Sequence, residues 1–222
     1  LFTGHAESVD IFVYDSGDRF VKSQRFTRSD GTLGADNRVK VNLPHGSYSL
    51  VAWTNLHSGD YECNYECAAA DRRVALSVPG NEVSFEPAAL LHGMVKIAVS
   101  NETASGKETV VSMTKDNNKV TIVMNVTGNL SPVTIDSFRV GISGCNGAYN
   151  FDNNPAESDP LKYIPQYSMP SLTSVEAEVN ILRLREGDDM TLSIENGGTR
   201  AGIRLPYSAA LTAAIMLHPE YN

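Results

Sequence analysis

Short alternating segments separated by tight turns are the feature of this sequence that most constrains its fold. Segment 39–43 alternates apolar and polar residues, segment 48–53 has apolar residues at every second position from Tyr48, and Pro44-His45-Gly46 lies between the two segments. Residues two apart lie on the same face of a strand, while proline and glycine favour tight turns. The sequence therefore predicts a β-hairpin here, of the kind found at the edge of a β-sandwich.

Comparable segments recur along the chain at intervals of about 8–12 residues, as expected of β-sandwiches. Segment 143–174 is predicted to be long and irregular, and 208–217 is either a helix or a strand, because so short an apolar run is ambiguous. The fold class predicted is all-β. The further strands predicted are 9–14, 19–26, 74–78, 83–85, 94–99, 120–127, 135–142, 177–184, 190–194 and 200–205.

A domain boundary is predicted where the strand pattern is interrupted between Glu86 and Leu91. Pro87 and two alanines stand there, and the 222 residues suit two domains of ordinary size. The sequence thus predicts an N-terminal domain at 1–88 and a C-terminal domain at 89–222.

Charge and hydropathy exclude two classes of protein. The formal net charge is −8 and no run of lysine or arginine occurs, whereas nucleic-acid binding needs a basic patch. No stretch of about 18 apolar residues is present, so no segment is expected to span a bilayer as a helix.

Three cysteines leave two interpretations open. Cys63 and Cys67 are four residues apart in a polar loop, so they form either a local disulfide or free thiols, and Cys145 is the odd one. No histidine stands near them in sequence. A zinc site is therefore not expected.

Motifs for catalysis or cofactor binding are absent from the sequence. The five histidines are scattered, and there is no metalloprotease motif, nucleophile elbow or glycine-rich phosphate loop. The acidic loop 152–159 lacks the spacing of a calcium-binding EF-hand, so we expect a hydrated loop there. The sequence predicts neither an enzyme nor a bound cofactor or metal.

Four aromatic residues lie in or near the long segment 143–174: Tyr149, Phe151, Tyr163 and Tyr167. They could form a platform on which sugars stack, which would make this segment a binding loop. Packing of the segment against its own domain is the favoured alternative, because long loops usually need aromatic anchors.

Several short sequence segments occur in the order found in one family. They are 9–15, 43–55, 94–99, 149–152 and 203–206. Together they resemble the Bacteroidales fimbrial proteins of the FimB/Mfa2 type, the anchor or accessory subunits of type V pili.

The resemblance implies two tandem transthyretin-like or immunoglobulin-like β-sandwich domains in an outer-membrane lipoprotein, with its lipid anchor upstream of Leu1. The protein would be an anchor, accessory or tip subunit acting in fibre assembly, cell adhesion and biofilm formation. Its partners would be other fimbrial subunits, joined by donor-strand insertion, and a host protein or glycan is a further expected target. A strand missing from the C-terminal domain would favour such insertion.

One alternative remains open from the sequence. The chain could be a carbohydrate-binding surface lipoprotein that is not part of a fibre, with the aromatic segment 143–174 as its binding loop. A transthyretin-like hydrolase is disfavoured, because no cluster of histidine and arginine is present for the chemistry.

Overall fold

The computed structural model describes residues 2–100, 108–125, 138–172, 174–184, 190–196 and 203–205. Strands dominate these residues, and the helical structure there is limited to one α-helical turn, α1 (Phe2–His5), and two short 3-10 turns. The strands are β1 (Ser8–Asp15), β2 (Phe20–Thr27), β3 (Gly46–Thr54), β4 (Tyr61–Asn64), β5 (Arg73–Leu76), β6 (Glu82–Val83), β7 (Leu91–Val99), β8 (Thr114–Lys115), β9 (Asn117–Asn125), β10 (Phe138–Gly144), β11 (Ala148–Asn150), β12 (Leu161–Tyr163), β13 (Gln166–Ser171), β14 (Ser174–Leu182), β15 (Thr191–Asn196) and β16 (Ile203–Leu205).

The chain forms two compact units whose segments interleave along the sequence. The predicted boundary after residue 88 differs from this division, because β7 pairs with β3 from His92 to Val99 and β11 pairs with β5. These long-range pairings leave no mark on local composition. Unit 1 comprises Leu1–Ser77, Ala88–Asp116 and Ala148–Ala156, and unit 2 comprises Val78–Pro87, Asn117–Gly147 and Glu157–Asn222.

Unit 1 contains a five-stranded sheet in the order β2-β1-β3-β7-β8 and a three-stranded sheet in the order β11-β5-β4. All of the pairings in both sheets are antiparallel. Strand β1 is buried on both faces, and both Val13 and Tyr14 are almost fully buried. This explains why the sequence of β1 is nearly continuously apolar rather than strictly alternating.

The hairpin predicted at 39–53 is not formed, although its alternation is real. Val39, Val41 and Leu43 pack against the core of unit 1, but segment 39–43 forms no strand. Both edges of β3 are already occupied, one by β1 and the other by β7. No backbone partner is left on β3 for segment 39–43, which therefore covers a face of the sheet instead.

The opposite face of this sheet carries an aromatic core. Trp53 is fully buried, with its ring centroid 4.6 Å from that of His92. The ring centroids of Phe12 and Phe151 are 5.1 Å apart at a steep angle, an arrangement that aromatic pairs prefer. Aromatic packing thus holds the 148–156 segment onto unit 1.

Unit 2 also contains two sheets, in the orders β16-β15-β10-β12-β6 and β13-β14-β9. The antiparallel pairing of β15 with β16 confirms the hairpin predicted from 190 to 205. Segment 143–174, predicted to be irregular, instead contains the short strands β11, β12 and β13. The helix or strand predicted at 208–217 lies outside the described residues.

Among the residues that the structure describes, no helix has the length and apolar character needed to cross a membrane.

Candidate docking site

A cavity of about 920 Å³ in unit 1 lies against the face of the β3–β7 pair. Its floor is built from alternate residues of the two strands, with Val51 opposite Met94 and Ser49 opposite Lys96. Met94 is 49% exposed, which is unusual for a large apolar side chain in the middle of a strand. The floor therefore offers both apolar contact and hydrogen-bonding groups.

Arg72 holds one wall of this cavity in place. Its side chain is only 5% exposed, and Nη1 donates to Asp18 Oδ1 at 2.8 Å. Nη2 donates to the Asp18 carbonyl oxygen, and Nε donates to the Cys67 carbonyl oxygen at 3.2 Å. One arginine thus links the turn after β1 to the loop after β4.

The outer edge of β7 is open along most of its length. Strand β8 pairs only with Leu91 and His92, so within the described ranges no strand lies along the outer edge of residues 93–99. Segment 111–113 packs instead over the face of β7, because a Cβ built on Gly93 would meet Val111 at 2.6 Å and Met113 at 2.5 Å. An open edge presents backbone donors and acceptors that a further strand can pair with.

The four aromatic residues predicted as a sugar platform are placed in the interior. Tyr149 and Phe151 belong to unit 1, and Tyr163 and Tyr167 belong to unit 2. Three of them are at most 5% exposed and Tyr167 is half-buried. Stacking on a sugar requires an exposed ring face, so this burial favours the packing interpretation.

The hydroxyl groups of these tyrosines are used in internal hydrogen bonds. Tyr149 donates to the Asp116 carbonyl oxygen at 2.8 Å, and Tyr163 donates to Asn146 Oδ1 at 3.0 Å. Burial raises the pKa of Tyr163 well above that of an ordinary tyrosine. The segment predicted as a binding loop thus contributes to the cores of the two units.

All three cysteines are free thiols in the structure. Cys63 and Cys67 are half-buried, whereas Cys145 is exposed. Burial, with smaller contributions from Asp10 and Cys67, raises the pKa of Cys63 to about 12. The Cys63–Cys67 disulfide stays a prediction.

Hydrogen bonds within the acidic loop hold Asp152. Asp152 accepts hydrogen bonds from the backbone and side-chain amides of Asn154, at 3.2 and 2.7 Å. In the part of the chain that the structure describes, no group of three His, Cys, Asp or Glu side chains is arranged to hold a metal ion.

Sequence reasoning missed a charged cluster that the fold brings together in unit 1. Asp10 on β1 is 4% exposed, and its Oδ1 lies 3.0 Å from Arg25 Nε and 3.2 Å from His57 Nε2. Asp10 stands within a strand that reads as apolar, and this buried charge was the only signal in the sequence. Arg25 comes from the paired strand β2, and His57 follows β3, so only the strand pairing reveals the cluster.

Comparisons with known proteins agree with this architecture. The chain matches the family described as fimbrillin-A associated anchor proteins Mfa1 and Mfa2 over residues 1–220. The chain therefore belongs to this family of fimbrial anchor proteins. No curated protein matches it significantly.

Solved structures with a similar fold include three proteins of low sequence identity to this chain. A candidate adhesin from Bacteroides ovatus superposes with a TM-score of 0.80 at 22% identity, covering 96% of this chain and 74% of the other. A candidate polysaccharide-binding protein from Bacteroides thetaiotaomicron gives 0.78 at 16% identity, covering 90% and 72%. The fimbrial anchor protein Mfa2 from Porphyromonas gingivalis gives 0.70 at 16% identity, covering 96% and 77%.

Family membership establishes the broad role of the chain. It is a non-enzymatic structural protein with an accessory role in fimbriae, and it interacts with other fimbrial subunits. The predicted family, the all-β fold class and the absence of enzymatic activity are thereby confirmed.

Proposed function

We propose that this chain is an anchor, accessory or tip subunit of a type V fimbrium at the outer membrane, and that another subunit docks by adding a strand along the outer edge of β7. The edge of residues 93–99, along which no other strand of the described ranges pairs, is the observation that carries this docking geometry. Strand addition supplies backbone hydrogen bonds, while side-chain pockets beside the edge supply specificity.

The cavity beside β7 supports this choice of edge. Met94, Lys96 and Ala98 line it, and they alternate on one face of the strand. A strand added to β7 would place its own side chains opposite these residues, at the short separation typical of cross-strand pairs. The exposed Met94 would then be covered by apolar side chains of the incoming strand.

The other long edge of this sheet is less suited to strand addition. On β2, the Lys22 ammonium donates to the Asn42 carbonyl oxygen at 2.6 Å, which ties β2 to the segment that covers a face of the sheet. β2 also carries Arg25, and charged side chains, lysine above all, are common devices against strand addition at an edge. These features favour β7 over β2 as the docking edge.

Placement at the outer membrane is the part of the proposal that rests on family likeness. A lipid attached to a cysteine upstream of Leu1 would hold the chain at the membrane, and the docking edge would connect it to the fibre. Adhesion and biofilm formation would follow from assembly of that fibre. Palmitate labelling of the full-length precursor in cells tests the anchor separately from the docking edge.

A binding measurement with two matched variants tests the docking edge. The purified chain is mixed with the purified main subunit of the same fimbrium, and complexes are measured by native mass spectrometry. We expect Met94→Glu to weaken the complex at least tenfold, because a charge would be buried opposite the incoming strand. Val21→Glu, at a 42% exposed position on β2, adds the same charge and should bind like the wild type.

Equal binding by the wild type and Met94→Glu would contradict docking at β7. Loss of binding in Val21→Glu alone would assign the interaction to the β2 edge. Both positions are exposed, so thermal unfolding of each variant should match that of the wild type.

A further inference from the structure

A second cavity of unit 1, of about 400 Å³, is lined almost entirely by polar side chains. Its size falls within the range of about 300–1,000 Å³ that is typical of small-ligand sites. Three basic side chains (His5, Arg25 and His57) line it together with several hydroxyl groups, and Ala88 and Ala89 are its apolar lining residues. The lining combines these polar groups with apolar surface, so it suits a ligand that carries hydroxyl groups on a partly apolar body.

The buried carboxylate of Asp10 fixes two of the basic groups in position. Its side chain is 6% exposed, whereas Arg25 and His57 are 43% and 48% exposed, so the two bases extend from the interior to the surface. Oδ1 is the atom that both bases contact, and Oδ2 is buried without a hydrogen-bond partner in the described residues. Asp10 thus acts as an internal support that orients two donors at the cavity.

Arg25 retains the part of its side chain that recognises carboxylates. Its contact with Asp10 uses Nε, and neither Nη1 nor Nη2 donates a hydrogen bond to another described residue. Two parallel N–H groups of a guanidinium match the two oxygens of a carboxylate. Glu7 also lines the cavity, and its negative charge opposes an anionic ligand.

We propose that this cavity binds the carboxylate of an acidic saccharide, with Arg25 as the main contact and the surrounding hydroxyl groups binding the sugar hydroxyls. The net charge of −8 repels anions in general, so a carboxylate can bind only beside a local positive group such as the Arg25 guanidinium. The site is separate from the β7 docking edge, and its test does not depend on fimbrial assembly.

An NMR titration of the purified chain with D-glucuronate and with D-glucose tests the proposal. We expect glucuronate to shift the resonances of residues around Arg25 and to bind at least tenfold more tightly than glucose, a difference of about 1.4 kcal/mol. Equal binding of the two sugars, or no binding of glucuronate, would overturn the proposal.

Variants with opposite expected effects sharpen the test. Arg25→Lys keeps a cation beside Asp10 but lacks the planar pair of donors, so glucuronate affinity should fall at least tenfold. Glu7→Gln removes the opposing charge and should increase affinity about twofold or more. Arg38→Gln alters an arginine that is 70% exposed and pairs with Glu108, away from the cavity, and should bind like the wild type.

These variants also separate a specific site from general charge effects. A loss of affinity in Arg38→Gln as large as in Arg25→Lys would show binding through overall charge and would contradict the proposal. Thermal unfolding of Arg25→Lys shows whether a loss of glucuronate affinity comes from a damaged fold. If the fold is damaged, the test rests on Glu7→Gln, and unchanged or weakened glucuronate binding by that variant would reject the site.

Discussion

The guanidinium carbon of Arg72 lies 3.7 Å from the centroid of the Tyr14 ring. This places a buried cation directly over an aromatic face, an arrangement that stabilises both groups when water is excluded. The Tyr14 hydroxyl donates to the Tyr65 carbonyl oxygen at 3.1 Å, so the same pair also holds the loop after β4. Arg72 and Tyr14 therefore organise one wall of the large cavity.

Replacement of Arg72 should be costly for the fold. Arg72→Gln removes the cation over Tyr14 and the hydrogen bonds to Asp18 and Cys67, so we expect a loss of roughly 2–3 kcal/mol in the free energy of unfolding. Urea denaturation measures this loss. The neighbouring Arg73 is exposed, and Arg73→Gln should change stability by less than about 0.5 kcal/mol. Equal effects of the two substitutions would contradict the structural role of Arg72.

Close packing at Gly93 should exclude any side chain. A Cβ there would lie 2.5–2.7 Å from Met113, Val111 and the Ser112 carbonyl oxygen, so Gly93→Ala should destabilise unit 1 by roughly 1–3 kcal/mol. Gly141→Ala on β10 is the matched control, because its nearest contact would be the movable Ser193 hydroxyl at 3.2 Å. Thermal unfolding compares them, and a Gly93→Ala protein as stable as Gly141→Ala would show that segment 111–113 does not pack on β7.

Cysteine reactivity should follow burial in the reduced protein. Thiolates react with iodoacetamide, and the pKa of Cys63 is raised to about 12, whereas Cys145 is exposed. We therefore expect Cys145 to be alkylated much faster than Cys63 at pH 8, as measured by peptide mass spectrometry. In denaturant the two rates should converge. Equal rates in the native protein would contradict the burial of Cys63.

Alkaline pH should destabilise the protein. Burial raises the pKa of Tyr14 and Tyr163 above the ordinary value of 10.0, and that of Cys63 from 9.0 to about 12. The folded chain holds these protons more tightly, so their stabilisation is complete below about pH 9 and is lost as pH rises above it. Melting temperatures from pH 7 to 11 test this.

The variant Tyr163→Phe isolates one of these groups. It should lower stability at pH 7, because Asn146 Oδ1 loses its donor, and it should also reduce the further loss above pH 10. An unchanged pH dependence in this variant would contradict the role of Tyr163 burial.

Local sequence patterns predicted where strands lie better than they predicted which strands pair with each other. The alternation at 39–43 predicted that Val39, Val41 and Leu43 share one side, and all three do pack on the core. The strand predicted there is wrong, because the sequence could not show that β1 and β7 occupy both edges of β3. The boundary after residue 88 missed the return of the chain to unit 1 for the same reason.

The candidate sites depended even more on non-local contacts. Tyr149 and Tyr163 are conspicuous in sequence, yet they are core residues, while Arg25 and His57 meet only through Asp10. Family likeness predicted the broad function, because several sequence segments in a fixed order are more specific to a family than any single motif.

The most direct measurement is site-specific photo-crosslinking at the open edge of β7 in cells that assemble the fimbrium. A photoreactive residue at Lys96 on β7 should crosslink to an extended segment of a fimbrial subunit, identified by mass spectrometry, whereas the same residue at the exposed Ser23 on β2 should not. Crosslinks to fimbrial subunits from position 23 alone, or from neither position, would contradict docking at β7.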